Sequence, residues 1–258
     1  MAALTEVDWL LVGGAAVAAG AVNALAGGGT LISFPLLTAA GIPPVIANVT
    51  NTVALCPGYL AAALAQSRDL AGQGGRLALY LPIGTLGGLA GGYLLLHTTE
   101  QTFRTVVPYL ILLASGLLAI QEPLRGWLLR RARLSRQTRA LEILGTLPTF
   151  LASIYGGYFG AGVSVVVLAM LGLALDDSLT RLNALKQGIS FSINVAAAVF
   201  FCLFGTIHWP AFWVMAVGAL VGGALGGQLA GRIPAAALRW LVVAFGLVIA
   251  VVYFIRGL

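Results

Sequence analysis

Gly27-Gly28-Gly29 is followed by the apolar run Thr30-Leu31-Ile32-Ser33-Phe34-Pro35-Leu36-Leu37-Thr38-Ala39-Ala40, and then by the break Gly41-Ile42-Pro43-Pro44. Wound as a helix, residues 29–40 reach only about 18 Å, too short to cross a hydrocarbon layer of about 30 Å. The arrangement returns in the second half. Gly160-Ala161-Gly162 opens a second short apolar run, 162–175, that ends at Asp176-Asp177. A longer apolar piece precedes each cluster, so each pair predicts a helical hairpin that enters an apolar layer and turns back at the glycines.

Composition says what that layer is. Of 258 residues, 60% are apolar and 9% charged, and the mean hydropathy is +0.99. An ordinary soluble domain carries about 25% charged residues, and this chain has more apolar surface than a soluble core can bury. Several windows are long enough to span a bilayer. The 34 glycines agree, because helices in lipid associate by close approach at small residues. Gly84-Gly88-Gly92 and Gly218-Gly222-Gly226 read as packing ladders of that kind. The net charge of +6 does not indicate nucleic acid: six of the fourteen basic residues lie in one run, Arg125 to Arg139, which reads as a cytoplasmic loop. Cys56 and Cys202 read as free, buried thiols. The first apolar stretch follows Glu6 and Asp8, not a basic segment, and is expected to remain in the mature chain.

Working outward from the hairpins, the sequence repeats itself. Gly27-Gly28-Gly29-Thr30 answers to Gly160-Ala161-Gly162-Val163, Asn51 to Asn183, Gly87-Gly88 to Gly222-Gly223, Gly91-Gly92 to Gly226-Gly227 and Arg104 to Arg239. Each copy has five apolar pieces: 9–26, 29–40, 43–66, 77–97 and 103–120, then 141–159, 162–175, 178–204, 210–231 and 236–256. Residues 8–120 form the first membrane repeat, 121–141 an arginine-rich cytoplasmic linker and 142–256 the second repeat. If each hairpin returns to its own side, three crossings per copy put Arg68, Arg76, the linker arginines, Arg181, Arg232 and Arg239 inside and only Arg104 and Arg256 outside, as the positive-inside rule prefers. An odd number of crossings inverts one copy relative to the other. The expected fold is an all-α polytopic membrane protein of two inverted repeats, each a short glycine-broken hairpin plus three transmembrane helices, with both termini outside.

Lys186 is the only lysine, and it sits within a long apolar span, where a cation costs about 2.5–3.5 kcal/mol on insertion scales. Asn183, Lys186, Gln187, Ser190 and Asn194 share one helix face. That stripe of an ammonium, amides and a hydroxyl suits an oxyanion; the alternative is a lysine that reaches back to the interface. The first copy has a neutral stripe, Asn48, Asn51 and Thr52, with Tyr59 beyond Pro57, which can serve as site or as interhelical glue. Gly28 and Gly29, and Gly160, Ala161 and Gly162, precede short helices whose N-termini point into the layer, where N–H groups and the positive dipole end attract anions. Thr30, Ser33 and Ser164 add hydroxyls. A plain tight turn is the alternative there. Asp176-Asp177 reads as a cap for the helix that follows, and Trp9, Trp209, Trp213 and Trp240 as belt residues near span ends.

The run Asn23-Ala24-Leu25-Ala26-Gly27-Gly28-Gly29, with Ala47-Asn48-Val49-Thr50-Asn51, resembles the TauE/SafE sulfite exporter family, also called the toluene sulfonate uptake permease family. Tyr155-Gly156-Gly157-Tyr158-Phe159-Gly160-Ala161-Gly162, with Asn183-Ala184-Leu185-Lys186, looks like that family's second copy. The resemblance covers nearly the whole chain. It implies a multi-pass permease of a prokaryotic inner membrane for sulfite, organosulfonates or related sulfur-containing or carboxylate anions. Here Thr52 follows Thr50-Asn51 where the family often has a lysine, which leaves Lys186 as the cation.

The reading calls for a small anionic substrate and a lipid bilayer, and for no cofactor, metal or nucleic acid; a homodimer is left open. A membrane-embedded enzyme would need an acid, base or nucleophile constellation that these spans lack. A passive anion channel is the nearer alternative to a carrier working by alternating access. No GxxxxGK[ST] sequence marks the chain as an ATP-driven pump.

Overall fold

One departure from the expected pattern is the opening leg of the second half of the chain, which is made of two short helices in place of one long one. The computed structural model describes residues 5–25, 28–132, 139–229 and 235–256. Gly27 and Arg232, and the side chains of the linker arginines, lie outside the described residues. The helices are α1 (Glu6–Leu25), α2 (Thr30–Ala39), α3 (Pro44–Ala65), α4 (Gly74–Leu96), α5 (Glu100–Ala132), α6 (Arg139–Leu144), α7 (Thr146–Tyr158), α8 (Val163–Ala174), α9 (Leu179–Phe204), α10 (Trp209–Leu229) and α11 (Ala235–Arg256), with a 3-10 turn at Ser67–Leu70. No strand occurs among the described residues. α5 runs on to Ala132, so residues 121–132 of the expected loop are helical. Five of the helices are long and apolar enough to cross a membrane, and Leu10, Leu203, Val248 and Ile255 are each more than 60% exposed. Apolar side chains this open suit lipid, not water.

Both hairpins turn back. In the second, α7 ends where the Phe159 and Gly160 N–H groups donate to the Tyr155 carbonyl at 2.9 and 3.2 Å. Gly160 and Gly162 have φ of 79° and 72°, a region that glycine enters without strain. The Tyr155 hydroxyl donates to the Ala161 carbonyl at 2.6 Å and ties the turn. The two legs close again at the base, where a Cβ on Gly145 would overlap Cβ of Ala174. In the first hairpin Gly28 has φ 90°, and Asn23 on α1 accepts the Gly29 N–H at 2.8 Å.

The two halves of the chain interleave. α4 packs on α7 and α9, while α10 packs on α1 and α3. Exchanging α1, α2, α3, α4 and α5 with α7, α8, α9, α10 and α11 carries each of these pairings into another, as it does α1 with α2 into α7 with α8 and α5 with α8 into α11 with α2. The self-paired helices run antiparallel. Thr50, early in α3, takes the N–H of His208 beyond the end of α9, and Gln66 at the end of α3 takes the amide of Asn183 early in α9. Likewise Tyr109 of α5 meets Phe254 of α11, and Glu122 meets Arg239.

Glycine makes this interleaving close. On α4, a Cβ at Gly88 would crowd the Ile193 carbonyl of α9, and one at Gly91 would overlap the Ile154 carbonyl of α7. On α10, a Cβ at Gly222 would overlap the Val17 carbonyl of α1. With no hydrophobic drive between helices in lipid, contact of this kind carries the association. The packing reading of both ladders holds at Gly84, Gly88, Gly92, Gly218 and Gly222; the surroundings of Gly226 and Gly227 lie outside the described residues.

Candidate functional site

Polar residues of the first repeat gather where α2 begins. The Ser33 hydroxyl donates to Asn51 Oδ1 at 2.5 Å, and Asn51 Nδ2 lies 3.5 Å from the Thr30 hydroxyl. Asn48, one turn earlier on α3, donates to the Tyr158 carbonyl at the tip of the other hairpin at 2.8 Å. Thr52 returns its hydroxyl to the Asn48 carbonyl at 2.9 Å. Asn48, Asn51, Thr30, Ser33 and Thr52 are all buried, so the cluster is closed to solvent in this conformation. Asn48 Oδ1 has no hydrogen-bond partner. A buried amide oxygen left unpaired costs about 1–3 kcal/mol.

The two glycine turns converge. A Cβ at Gly28 would press on the Leu118 side chain, and one at Gly162 would lie 3.4 Å from the Ala114 carbonyl. Ala114 and Leu118 are one turn apart on α5, so the N-termini of α2 and α8 are aimed at the same stretch of a third helix. Their first N–H groups are partly spent within the turns: Gly29 on Asn23, Leu31 on the Gly28 carbonyl, Val163 on the Gly160 carbonyl. What remains for an anion is the aligned dipoles of two helices of 10 and 12 residues.

Lys186 and its stripe lie toward the other end of the bundle. Asn183 is bonded to Gln66 at 2.8 Å, and about 20 Å of α3 separates Gln66 from Asn51. The two polar stripes read in the sequence therefore stand apart along the bundle. Asn51 and Lys186 are each the eighth residue of their helix, α3 or α9, so Lys186 takes in its repeat the place Asn51 has in the first. The helix starts thus pair Asn48, not Asn51, with Asn183. Thr30 and Ser33 correspond in the same way to Val163 and Val166, and Ser164 to Leu31. The first cluster is hydroxyl-rich and neutral; the second carries the cation and lies beside the apolar α8. Lys186 and Gln187 are half-buried, Ser190 is buried, and neither Ser190 Oγ nor Asn194 Oδ1 has a hydrogen-bond partner.

At the loop end, Asp177 differs from its expected role. Ser178 caps α9, taking the Arg181 N–H at 3.4 Å. Asp177 instead joins Arg76 at 2.5 Å and Arg181 at 3.0 Å, and Arg76 also reaches Glu142 at 3.3 Å. One guanidinium from α4 so holds both legs of the second hairpin at its base. Partial burial pushes the Asp177 carboxyl up; the hydrogen bonds of Arg181, the Ser178 N–H and Arg76 outweigh it and hold the group below the usual carboxylate value. Neither cysteine is buried as expected: Cys56 is half-buried and Cys202 exposed, and both are free.

Asn23, Tyr155 and the Tyr158 carbonyl belong to this region without having been legible as such. Asn23 had a signal, an amide shortly before a glycine cluster at the end of an apolar helix. The others join the site through contacts that no local pattern announces.

The family model of sulfite exporter TauE/SafE proteins matches residues 12–253. The chain is 32% identical over 201 residues to a probable membrane transporter protein of Haemophilus influenzae, covering 78% of this chain and 76% of the relative. It is 28% identical over 204 residues to the probable membrane transporter protein YfcA of Escherichia coli, covering 79% and 73%. No solved structure matches it.

Proposed function

We propose, from the premise that the chain belongs to the TauE/SafE sulfite exporter family, that this membrane transporter carries small oxyanions such as sulfite or an organosulfonate by alternating access. The observation that carries the reading is the convergence of two short-helix N-termini on the Ala114–Leu118 stretch of α5. Opposed positive dipole ends inside a membrane protein suit an anion and no cation. The neutral half-site at Asn48, Asn51, Thr30 and Ser33 and the cationic half-site at Lys186, Asn183, Gln187 and Ser190 lie at corresponding places in the two repeats. An anion moving between them exchanges amide and hydroxyl donors for an ammonium.

The antiparallel pairing of α3 with α9 and of α5 with α11 supports repeats inverted across the bilayer. Inverted copies can each adopt the other's conformation, which is how such carriers expose a site to either side. Arg76 and Arg181, joined at Asp177, favour the end where Gln66 meets Asn183 as cytoplasmic in a prokaryotic inner membrane, with both termini outside. No catalytic step is assigned.

The test is uptake into proteoliposomes of sulfite, sulfate, a small organosulfonate and a carboxylate, for wild type and Lys186→Gln. The expected result is saturable uptake of one anion class, reduced at least about tenfold in the variant at equal folded protein. Flux linear in concentration would indicate a channel, and no flux with any anion would refute the substrate class.

A further inference from the structure

We propose that Ser115 of α5 is a further ligand of the transported anion, standing between the two hairpin tips; the assignment rests on the anion-carrier reading and names a residue of that same site. Three observations place it there. Ser115 lies between Ala114 and Leu118, which the second and first glycine turns respectively touch, so it belongs to the stretch on which both helix N-termini converge. It has no exposed surface, and its Oγ has no hydrogen-bond partner. A buried hydroxyl in a helix ordinarily bonds back to a carbonyl one turn earlier, and an unspent one in a membrane interior is a donor held for something else.

Its surroundings match. The hydroxyl lies against Gly246 of α11, where a Cβ would overlap it, and Leu31 of the first turn of α2 reaches the same spot at 3.7 Å. Only glycine at 246 leaves the hydroxyl room beside the start of α2. The position is also central. Tyr109 meets Phe254, Ser115 meets Gly246 and Glu122 meets Arg239, so the level at which α5 crosses its own counterpart falls near Leu113 and Val248. A ligand at that level is equally placed for both hairpins, as a site open alternately to either side must be. Ala250 is the counterpart of Ser115 and has no donor. The pair of repeats thus supplies one hydroxyl on its axis, which donates its proton to an anion oxygen while the two helix dipoles offset the charge.

The experiment uses the full chain in proteoliposomes, with Cys56 and Cys202 replaced by alanine. Ser115→Ala is expected to raise the KM for sulfite about tenfold while maximal uptake changes less than about twofold. Ser115→Cys gives a thiol whose modification by a small methanethiosulfonate is expected to slow at least about fivefold when a small organosulfonate, which does not react with the reagent, is present. That protection needs binding alone, so it separates the two readings: protection without flux would retain the Ser115 assignment and sink the carrier. An unchanged KM in Ser115→Ala, or labelling of Ser115→Cys unaffected by sulfate, the organosulfonate or the carboxylate in variants that elute as folded protein, would overturn the assignment.

Discussion

Asn51 shows what one side chain holds. It accepts from Ser33 and faces Thr30, residues 18 and 21 positions earlier, and it is 1% exposed. Asn51→Ala leaves two buried hydroxyls without their amide, a loss of about 1–3 kcal/mol. The variant is expected to unfold earlier in detergent by that amount and to lose transport at least about tenfold. Asn51→Gln, whose longer amide is displaced by one methylene, should recover stability more than flux. A polar residue in an apolar run was visible in the sequence; its partners were not, because the bonds join separate helices. For the same reason the sequence leaves open how the two polar stripes sit relative to each other, whereas α3 and α9 run antiparallel and set Lys186 apart from Asn48.

Helix against helix, the glycines divide by what they meet. Gly222 is pressed on the Val17 carbonyl of α1, which cannot yield as a flexible side chain can, whereas Gly116 of α5 faces open space. Gly222→Ala should therefore destabilise the protein by about 1–3 kcal/mol, while Gly116→Ala should be neutral or slightly stabilising, since alanine is the better helix former. Paired melting curves check this, and equal shifts would contradict the packing. The base of the second hairpin gives a pH signature. Asp177 titrates below its ordinary 3.8, so the stability it contributes is present above that value and lost as pH falls through the lower folded one. The difference in melting temperature between wild type and Asp177→Asn should stay level from about pH 8 to about pH 5 and shrink only below about pH 4. A difference already fading near pH 6 would mean that another group titrates there.

Taken as a whole, the molecule sorts its connections into two ends. Pro43, Val45, Thr98, Glu100 and His208 meet at one, and Gln66, Ala71, Arg76, Asp177 and Arg181 at the other. Single cysteines at Thr99 and Thr206, in a background lacking Cys56 and Cys202, are expected to react with an impermeant maleimide on intact cells. Cysteines at Gly72 and Asp176 are expected to react only after the membrane is opened. Labelling of Gly72 and Thr206 from the same side would rule out three crossings per repeat.

The sequence by itself determined the class of the protein, most of its helices to within a few residues, the recurrence of its motifs and its two glycine turns. Those features depend on local quantities: apolar length against bilayer thickness, glycine at a reversal, and chemistry repeated at a steady offset. Tertiary structure alone decided that α4 and α10 pack across onto α7 and α1 of the other half of the chain, that Asn51 and Lys186 stand apart along α3 and α9, and that Ser115 is buried against Gly246. The linker's first residues likewise became helix by continuing α5. Such outcomes depend on which surfaces fit at close range, and a carbonyl meeting a glycine of another helix leaves no periodicity in either strand of sequence for a reader to find.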